Sequence, residues 1–94
     1  MKIKIKYGGP LSEILRKREE EYESDYAPLS VAQLITDLFN RYADMAKFFE
    51  GDPTKVFEHS MVFVNSRVVS PNEILNIQIN EGDLVAFLPV VTGG

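Results

Sequence analysis

The chain has 94 residues, 45% of them hydrophobic and 26% charged, which is ordinary for one small globular domain. Its net charge of −4 argues against binding to nucleic acid or to an anionic membrane, and no apolar run approaches the roughly 20 residues that cross a bilayer. The absence of cysteine excludes disulfides, thiolate nucleophiles and cysteine-ligated metal, and it fits a cytoplasmic location.

The first two predicted strands carry opposite charges on one face. Residues 2–7 alternate lysine with large apolar side chains, the pattern of a half-buried strand that ends at the following Gly-Gly-Pro. Residues 19–26 alternate acidic side chains with Tyr22 and Tyr26. We therefore expect an antiparallel pair with a lysine row beside an acidic row, and we interpret the acidic run as a solvated face.

The strongest helix signal covers residues 30–42. Ser30 is a good N-cap, and apolar side chains then recur at three- and four-residue spacing. These side chains are Leu34, Ile35, Leu38, Phe39 and Tyr42. Residues 11–18 predict one or two helical turns or a loop tucked under the sheet. Residues 43–50, and a restart at Asp52-Pro53, predict further short helical pieces.

Three later segments complete the predicted sheet. Residues 60–64 and 68–69 predict a hairpin or a bent strand. Residues 74–79 are expected to be loosely extended, with all four large aliphatic side chains filling one end of the core, before a tight turn at 81–83. Residues 84–88 form an almost unbroken apolar run, which is typical of a central strand. We expect this strand to lie parallel to the first strand, giving an α+β fold: a mixed sheet of four to five strands with one main helix on one face.

His59 is the single histidine of the chain. Because a zinc site needs several nitrogen or sulfur ligands, His59 cannot anchor one alone. We interpret it as a surface or linker residue, and we predict no metal site.

The last residues form the most distinctive stretch of the chain. A proline there cannot donate to a sheet ladder, so it ends the final strand. β-branched residues then favour an extended backbone, and two glycines without a Cβ can enter a narrow slot. We predict a domain over 1–89 and a flexible tail over 90–94 that presents a terminal carboxylate. The residues expected to enter a partner's channel are Pro89, Val90, Val91, Thr92, Gly93 and Gly94.

Several motifs of a known kind occur together in this chain. The motifs are a Lys-Ile-Lys-Ile-Lys first strand, a capped helix, a Val64-Asn65-x-x-Val turn, a Glu81-Gly82-Asp83 turn and a Phe87-x-Pro89-x-x-x-Gly93-Gly94 ending. Together they resemble the MoaD/ThiS group of ubiquitin-like β-grasp sulfur carriers, and the ending is similar to that of MoaD, the small subunit of molybdopterin synthase. Leu88 stands where that group often has a proline. Residues 43–59 are a longer segment than a minimal member of the group needs, which leaves room for a further partner surface.

The resemblance implies a carrier that is not an enzyme on its own. An adenylyltransferase of the ubiquitin-activating type (MoeB/ThiF-like) would use ATP and Mg²⁺ to adenylate the carboxylate of Gly94, and a sulfur donor would then leave a thiocarboxylate there. A MoaE-like large subunit of molybdopterin synthase would use that sulfur on a pterin precursor. The chain would bind no cofactor itself.

Strand parity predicts a partner surface near the tail. If Val85 and Phe87 face the helix, Leu88 faces away from it. By the same alternation, one of Val68 and Val69 also faces away. The residues expected in the interface are Leu88, Val68, Phe63 and Met61. The alternative is that residues 43–59 cover these side chains and make them part of the core.

The sequence leaves three functions open. The first is a sulfur carrier for molybdenum or tungsten cofactor synthesis. The second is a related β-grasp carrier for tRNA thiolation, thiamin sulfur transfer or conjugation to lysine. The third is an interaction domain that is never activated, in which the two final glycines are incidental.

Overall fold

The computed structural model describes residues 1–90, which form seven strands and four α-helices. The strands are β1 (Lys2–Tyr7), β2 (Glu19–Glu23), β3 (Leu29–Ser30), β4 (Ser60–Val64), β5 (Arg67–Val69), β6 (Gln78–Ile79) and β7 (Leu84–Pro89). The helices are α1 (Gly9–Leu15), α2 (Val31–Arg41), α3 (Ala43–Phe48) and α4 (Val56–His59). Short 3₁₀ turns span Pro53–Lys55 and Pro71–Glu73.

The main sheet has the strand order β2-β1-β7-β4-β5. β7 lies at its centre, parallel to β1 and antiparallel to β4. Val85 and Phe87 of β7 are completely buried, as a central strand requires. The predicted α+β fold with a mixed five-stranded sheet and a parallel central pair is confirmed. A second sheet of β3 and β6 was not predicted, because each of its strands has only two residues.

The charged rows of β1 and β2 face each other as expected. In register, Lys4 lies opposite Glu21 and Lys6 opposite Glu19. Lys4 Nζ lies 3.6 Å from a Glu19 carboxylate oxygen, and both side chains are about half exposed. Such a pair contributes little free energy, so its main effect is on register, since a one-residue slip would bury glutamates.

The second strand ends at Glu23, so its predicted extension to Tyr26 is wrong. Tyr22 is buried, whereas Tyr26 is 61% exposed. The register of β1 and β2 ends with the pair of Lys2 and Glu23. The Ser24 N–H donates to the Met1 carbonyl (2.8 Å), and the Ser24 hydroxyl accepts from the Tyr26 N–H (3.0 Å). The chain therefore turns away from the sheet there.

The main helix, α2, begins at the predicted cap. Ser30 Oγ accepts from the Gln33 N–H (3.0 Å), and the Gln33 side chain accepts from the Ser30 N–H (2.8 Å). This reciprocal capping box satisfies two N–H groups near the helix start. Leu34, Ile35 and Leu38 are completely buried in one core with the apolar face of the main sheet.

Residues 43–59 extend this core on the side of α2. Their helical pieces match the prediction: α3 gives way to a left-handed Gly51 (φ +70°), and the Asp52 carboxylate caps the next turn by accepting from the Thr54 N–H (2.9 Å). Phe49 stacks on Phe39 of α2 with ring centroids 6.1 Å apart. The segment is therefore part of the packed domain.

The segment before β6 is not extended, and the prediction that all four of its aliphatic side chains fill the core is wrong at one position. Ile74 and Ile79 are buried and Ile77 is half-buried, but Leu75 is 77% exposed. A 3₁₀ turn and a further turn occupy residues 71–76. Side chains on a turn do not alternate between two faces, so Leu75 points to solvent.

Candidate functional site

β7 delivers the chain to a tail root, Pro89-Val90, that is held from two sides. The Phe87 carbonyl accepts a hydrogen bond from the Gly8 N–H (2.7 Å), and the His59 carbonyl accepts one from the Val90 N–H (3.4 Å). The turn after β1 and the end of α4 thus flank the root. Val91, Thr92, Gly93 and Gly94 lie outside the described residues, so the predicted boundary between domain and tail stays a prediction.

The turn between β1 and α1 forms a close seat for Pro89. A Cβ added to Gly9 would lie 2.8 Å from the Pro89 Cβ, and one added to Gly8 would lie 3.0 Å from the Pro89 Cδ. Gly9 also has a φ of +58°, which disfavours residues with a Cβ. The sequence pattern marks these glycines only as the end of a strand, because their contact with Pro89 is remote in sequence.

We expect Gly9→Ala to lower the free energy of unfolding more than Gly51→Ala. Both positions have a left-handed backbone, which costs a residue with a Cβ about 1–2 kcal/mol, but nothing lies within 4 Å of a Cβ at Gly51. The excess at Gly9 therefore measures the contact with Pro89. Urea unfolding gives both values. The excess should vanish in a Pro89→Gly background, and equal effects in the wild-type background would refute the seat.

A polar network anchors the strands beneath the tail root. Tyr7 stacks on Phe87 with ring centroids 6.0 Å apart, and its hydroxyl donates to the Glu20 carboxylate (2.6 Å). Tyr42 donates to the same carboxylate (2.7 Å) and accepts from Lys17 Nζ (2.9 Å). Burial, followed by the bond to Glu20, raises the pKa of Tyr7 far above its usual value. The two bonds to Glu20 tie β1 and β2 to Tyr42, the residue that follows α2.

The four predicted interface residues form one surface on the side of the sheet away from α2, here called the sheet patch. Met61 lies directly opposite Leu88, and Phe63 lies directly opposite Val68. Met61, Val68 and Leu88 are 39%, 50% and 40% exposed, and Phe63 is half-buried. Residues 43–59 leave these side chains uncovered. Their use as an interface remains a prediction.

Within residues 1–90, no group of three or more histidine, cysteine, aspartate or glutamate side chains is placed to hold a metal ion. His59 is exposed, and its ring lies against Phe48 and Phe49, at centroid distances of 5.2 and 6.0 Å. In the same part of the chain, none of the helices is both long and apolar enough to span a membrane.

A comparison with protein-family models shows the family to which the chain belongs. The model of the ThiS family matches residues 5–94. The chain belongs to the ThiS family. The match covers both flanks of the tail root, the sheet patch and the two final glycines, and it confirms the resemblance to the MoaD/ThiS group. No curated protein matches this ThiS-family chain in sequence.

Several solved structures are similar to this ThiS-family chain. SAMP1, a small archaeal modifier protein from Haloferax volcanii, has a TM-score of 0.76 at 21% identity, with 100% of both chains covered. A Pyrococcus furiosus protein provisionally assigned as molybdopterin converting factor, subunit 1, has a TM-score of 0.71 at 24% identity, covering 97% of this chain and 99% of its own. A complex of subunits 1 and 2 of the molybdopterin-converting factor from Helicobacter pylori gives 0.61 at 15% identity, with 100% of both chains covered.

At these identities the structural likeness establishes the fold, a ubiquitin-like β-grasp. With the family match, it makes the chain a small ThiS-family domain with this fold. The described residues offer a sheet whose central strand leads to the tail root, beside an exposed apolar patch.

Proposed function

We propose that the chain is a sulfur carrier for molybdopterin synthesis, in the cytoplasm, with Gly94 as the reacting residue. One observation carries the proposal: the central strand of a ThiS-family domain runs directly into a tail root that is fixed on both sides. A fixed root holds the point from which the tail starts, as delivery of a terminal carboxylate into a partner's site requires.

The chemistry needs a partner enzyme. A terminal carboxylate, with a pKa of about 3.3–3.7, is ionised at neutral pH and has no leaving group. An activating enzyme of the MoeB/ThiF type would join the Gly94 carboxylate to the α-phosphate of ATP, with Mg²⁺, and release pyrophosphate. A sulfur donor then displaces AMP and leaves a thiocarboxylate. The chain itself contributes the carboxylate and its placement, and it binds no cofactor.

The sulfur would be used on a large subunit of the MoaE type. Two structural neighbours support this partner, since one is provisionally assigned as subunit 1 of a molybdopterin converting factor and the other is subunit 1 in complex with subunit 2. The sheet patch is our candidate for the docking surface, because Leu88 lies on the strand that leads to the tail and Met61 lies opposite it on β4.

The first step can be tested without knowing the sulfur donor. In the presence of the activating enzyme from the same cells, the 94-residue chain should support exchange of labelled pyrophosphate into ATP. Exchange reports formation of an acyl-adenylate. Activation of another carrier by the same enzyme serves as the positive control. If that active enzyme gives no exchange with this chain, the proposal fails and the interaction-domain alternative gains support.

We expect Leu88→Asp to keep the fold and weaken partner binding by roughly tenfold or more, the effect of losing an interface anchor. Leu88 is exposed, so a carboxylate there stays solvated in the free chain. Leu75→Asp is the matched control, since Leu75 is exposed outside the sheet patch. Binding can be measured by calorimetry and folding by circular dichroism. Global unfolding of Leu88→Asp would show that this side chain belongs to the core, and equal binding by both variants would remove the sheet patch from the interface.

A second candidate is a modifier whose activated Gly94 is transferred to a lysine amine, with loss of AMP and formation of an isopeptide bond. The observation that favours it is the likeness to SAMP1, the small archaeal modifier protein 1 of Haloferax volcanii, whose two structures give TM-scores of 0.76 and 0.75. Conjugates of the chain to other proteins in cell extract, absent when Gly94 is deleted, would favour this candidate. Delivery of sulfur to tRNA or to thiamin shares the adenylation step and differs in the acceptor.

A further inference from the structure

Residues 43–59 place a second exposed apolar side chain beside the tail root. Phe48 is 42% exposed and packs edge-to-face on the buried Phe49, with ring centroids 4.9 Å apart. Its other neighbour is the His59 ring, 5.2 Å away. The His59 carbonyl is the group that accepts from the Val90 N–H. Phe48 is thus connected to the tail root through one residue.

Phe48 lines a shallow groove between α1 and α3, here called the flank groove, with Ile14, Asp44 and Lys47. The wall from α1 belongs to the helix that begins at the seat of Pro89. The wall from α3 is fixed by Phe49, which lies in the core. Both walls are therefore rigidly connected to the tail root, and the groove combines an apolar floor with one acidic and one basic side chain at its edge.

The flank groove and the sheet patch lie in different layers of the domain. Phe49, which supports Phe48, stacks on Phe39 of α2, so the groove belongs to the helical layer. Leu88 of the sheet patch faces away from that layer, because its neighbour Phe87 is buried against it. The tail root thus leaves the domain between two exposed apolar surfaces.

The short tail requires a partner to come close to both surfaces. Fully extended, the five residues from Val90 to Gly94 span at most about 18 Å. This inference rests on the proposed function, in which Gly94 reaches the α-phosphate of ATP inside a closed site. An enzyme that encloses that site must bring the rim of its channel up to the tail root, and a rim that surrounds the root touches both layers.

We propose that the flank groove, which is separate from the sheet patch, is a docking site for the activating enzyme. The groove takes an apolar or aromatic side chain from the rim of that enzyme's tail channel. Aromatic side chains in a pocket are the usual anchors of protein interfaces. Asp44 and Lys47 can pair with polar groups around the anchor. The proposal also gives residues 43–59 a role in addition to packing, which is to carry one wall of this groove.

The test compares Phe48→Asp with Leu75→Asp in the pyrophosphate-exchange reaction. We expect Phe48→Asp to raise the KM for the chain roughly tenfold or more with little change in kcat, because the groove binds the partner and does not touch the reacting atoms. Leu75→Asp should leave both constants unchanged. An unchanged KM for a folded Phe48→Asp chain overturns the inference. Absence of exchange with the wild-type chain overturns the proposed function, and the inference with it.

A second measurement does not depend on the stability of the Phe48→Asp variant. A photo-crosslinking phenylalanine analogue is placed at position 48 in one chain and at position 75 in another. In the presence of the activating enzyme, position 48 should crosslink to it and position 75 should not. A crosslink from position 48 to a second copy of the chain, or none at all while exchange proceeds, overturns the inference.

Discussion

Removal of Gly93 and Gly94 is expected to abolish adenylation, a loss of roughly a hundredfold or more, and to leave the free energy of unfolding unchanged. The deletion shortens the reach of the tail by about 7 Å and moves the carboxylate to Thr92, whose branched side chain accompanies it into the channel. Misplacement of a reacting group by as little as about 1 Å can cost about a hundredfold in rate. Pyrophosphate exchange and urea unfolding measure the two quantities.

Two matched variants separate reach from shape. Deletion of Val91 and Thr92 keeps both glycines and shortens the tail equally, whereas Gly93→Ala with Gly94→Ala keeps the length and adds two methyl groups. We expect both to lose most of the exchange activity, since the proposed channel needs the full length and the missing side chains. Full activity of the chain without Gly93 and Gly94 would exclude Gly94 as the reacting residue.

Phe87→Ala is expected to lower the free energy of unfolding by about 3–5 kcal/mol, the usual cost of deleting a buried aromatic ring. A small domain has roughly 5–15 kcal/mol in total, so the variant should be close to unfolding. Phe87 is completely buried in the central strand and stacks on Tyr7. Its free energy of unfolding can be measured by urea titration followed by fluorescence or circular dichroism.

Leu88→Ala is the matched control for this substitution. It changes the next residue of the same strand, but that side chain is 40% exposed on the other face. We expect a cost of about 1 kcal/mol or less. Equal costs at the two positions would contradict the parity of β7, and with it the placement of the sheet patch.

Much of the fold could be predicted because its signals are local. The alternation of lysine and isoleucine defines β1, and the glutamates of β2 fix its partner. Ser30 and Gln33 stand at capping-box spacing, so the start of α2 is visible in the sequence. The apolar run of β7 indicated a central strand, and the family match then confirmed the resemblance that these elements suggested.

The errors arose where distant parts of the chain decide the local structure. Tyr26 fits the alternation of β2, but the ladder with β1 ends at Glu23, and the Ser24 hydroxyl accepts from the Tyr26 N–H in a turn. Leu75 fits a core pattern, but it lies on a turn. Glu20 shares its face with Tyr22, which could have indicated a half-buried carboxylate, yet its two tyrosine partners come from β1 and from the residue that follows α2.

The candidate site was predicted in part for the same reason. Strand parity was enough to predict that the side chains of Leu88 and Val68 are exposed, and both are. Parity does not apply to Phe48 and Phe49, which are adjacent on a short helix, and only the packing of Phe49 on α2 shows which ring stays outside. The seat of Pro89 joins the two ends of the domain, and no local pattern encodes it.

The most direct test of sulfur transport is the intact mass of the chain after incubation with the activating enzyme, ATP and sulfide. We expect a mass increase equal to one oxygen replaced by sulfur, located at Gly94 by fragmentation, and lost when ATP is omitted. An unchanged mass under conditions in which a known carrier gains sulfur would contradict the proposal that this chain carries sulfur on Gly94.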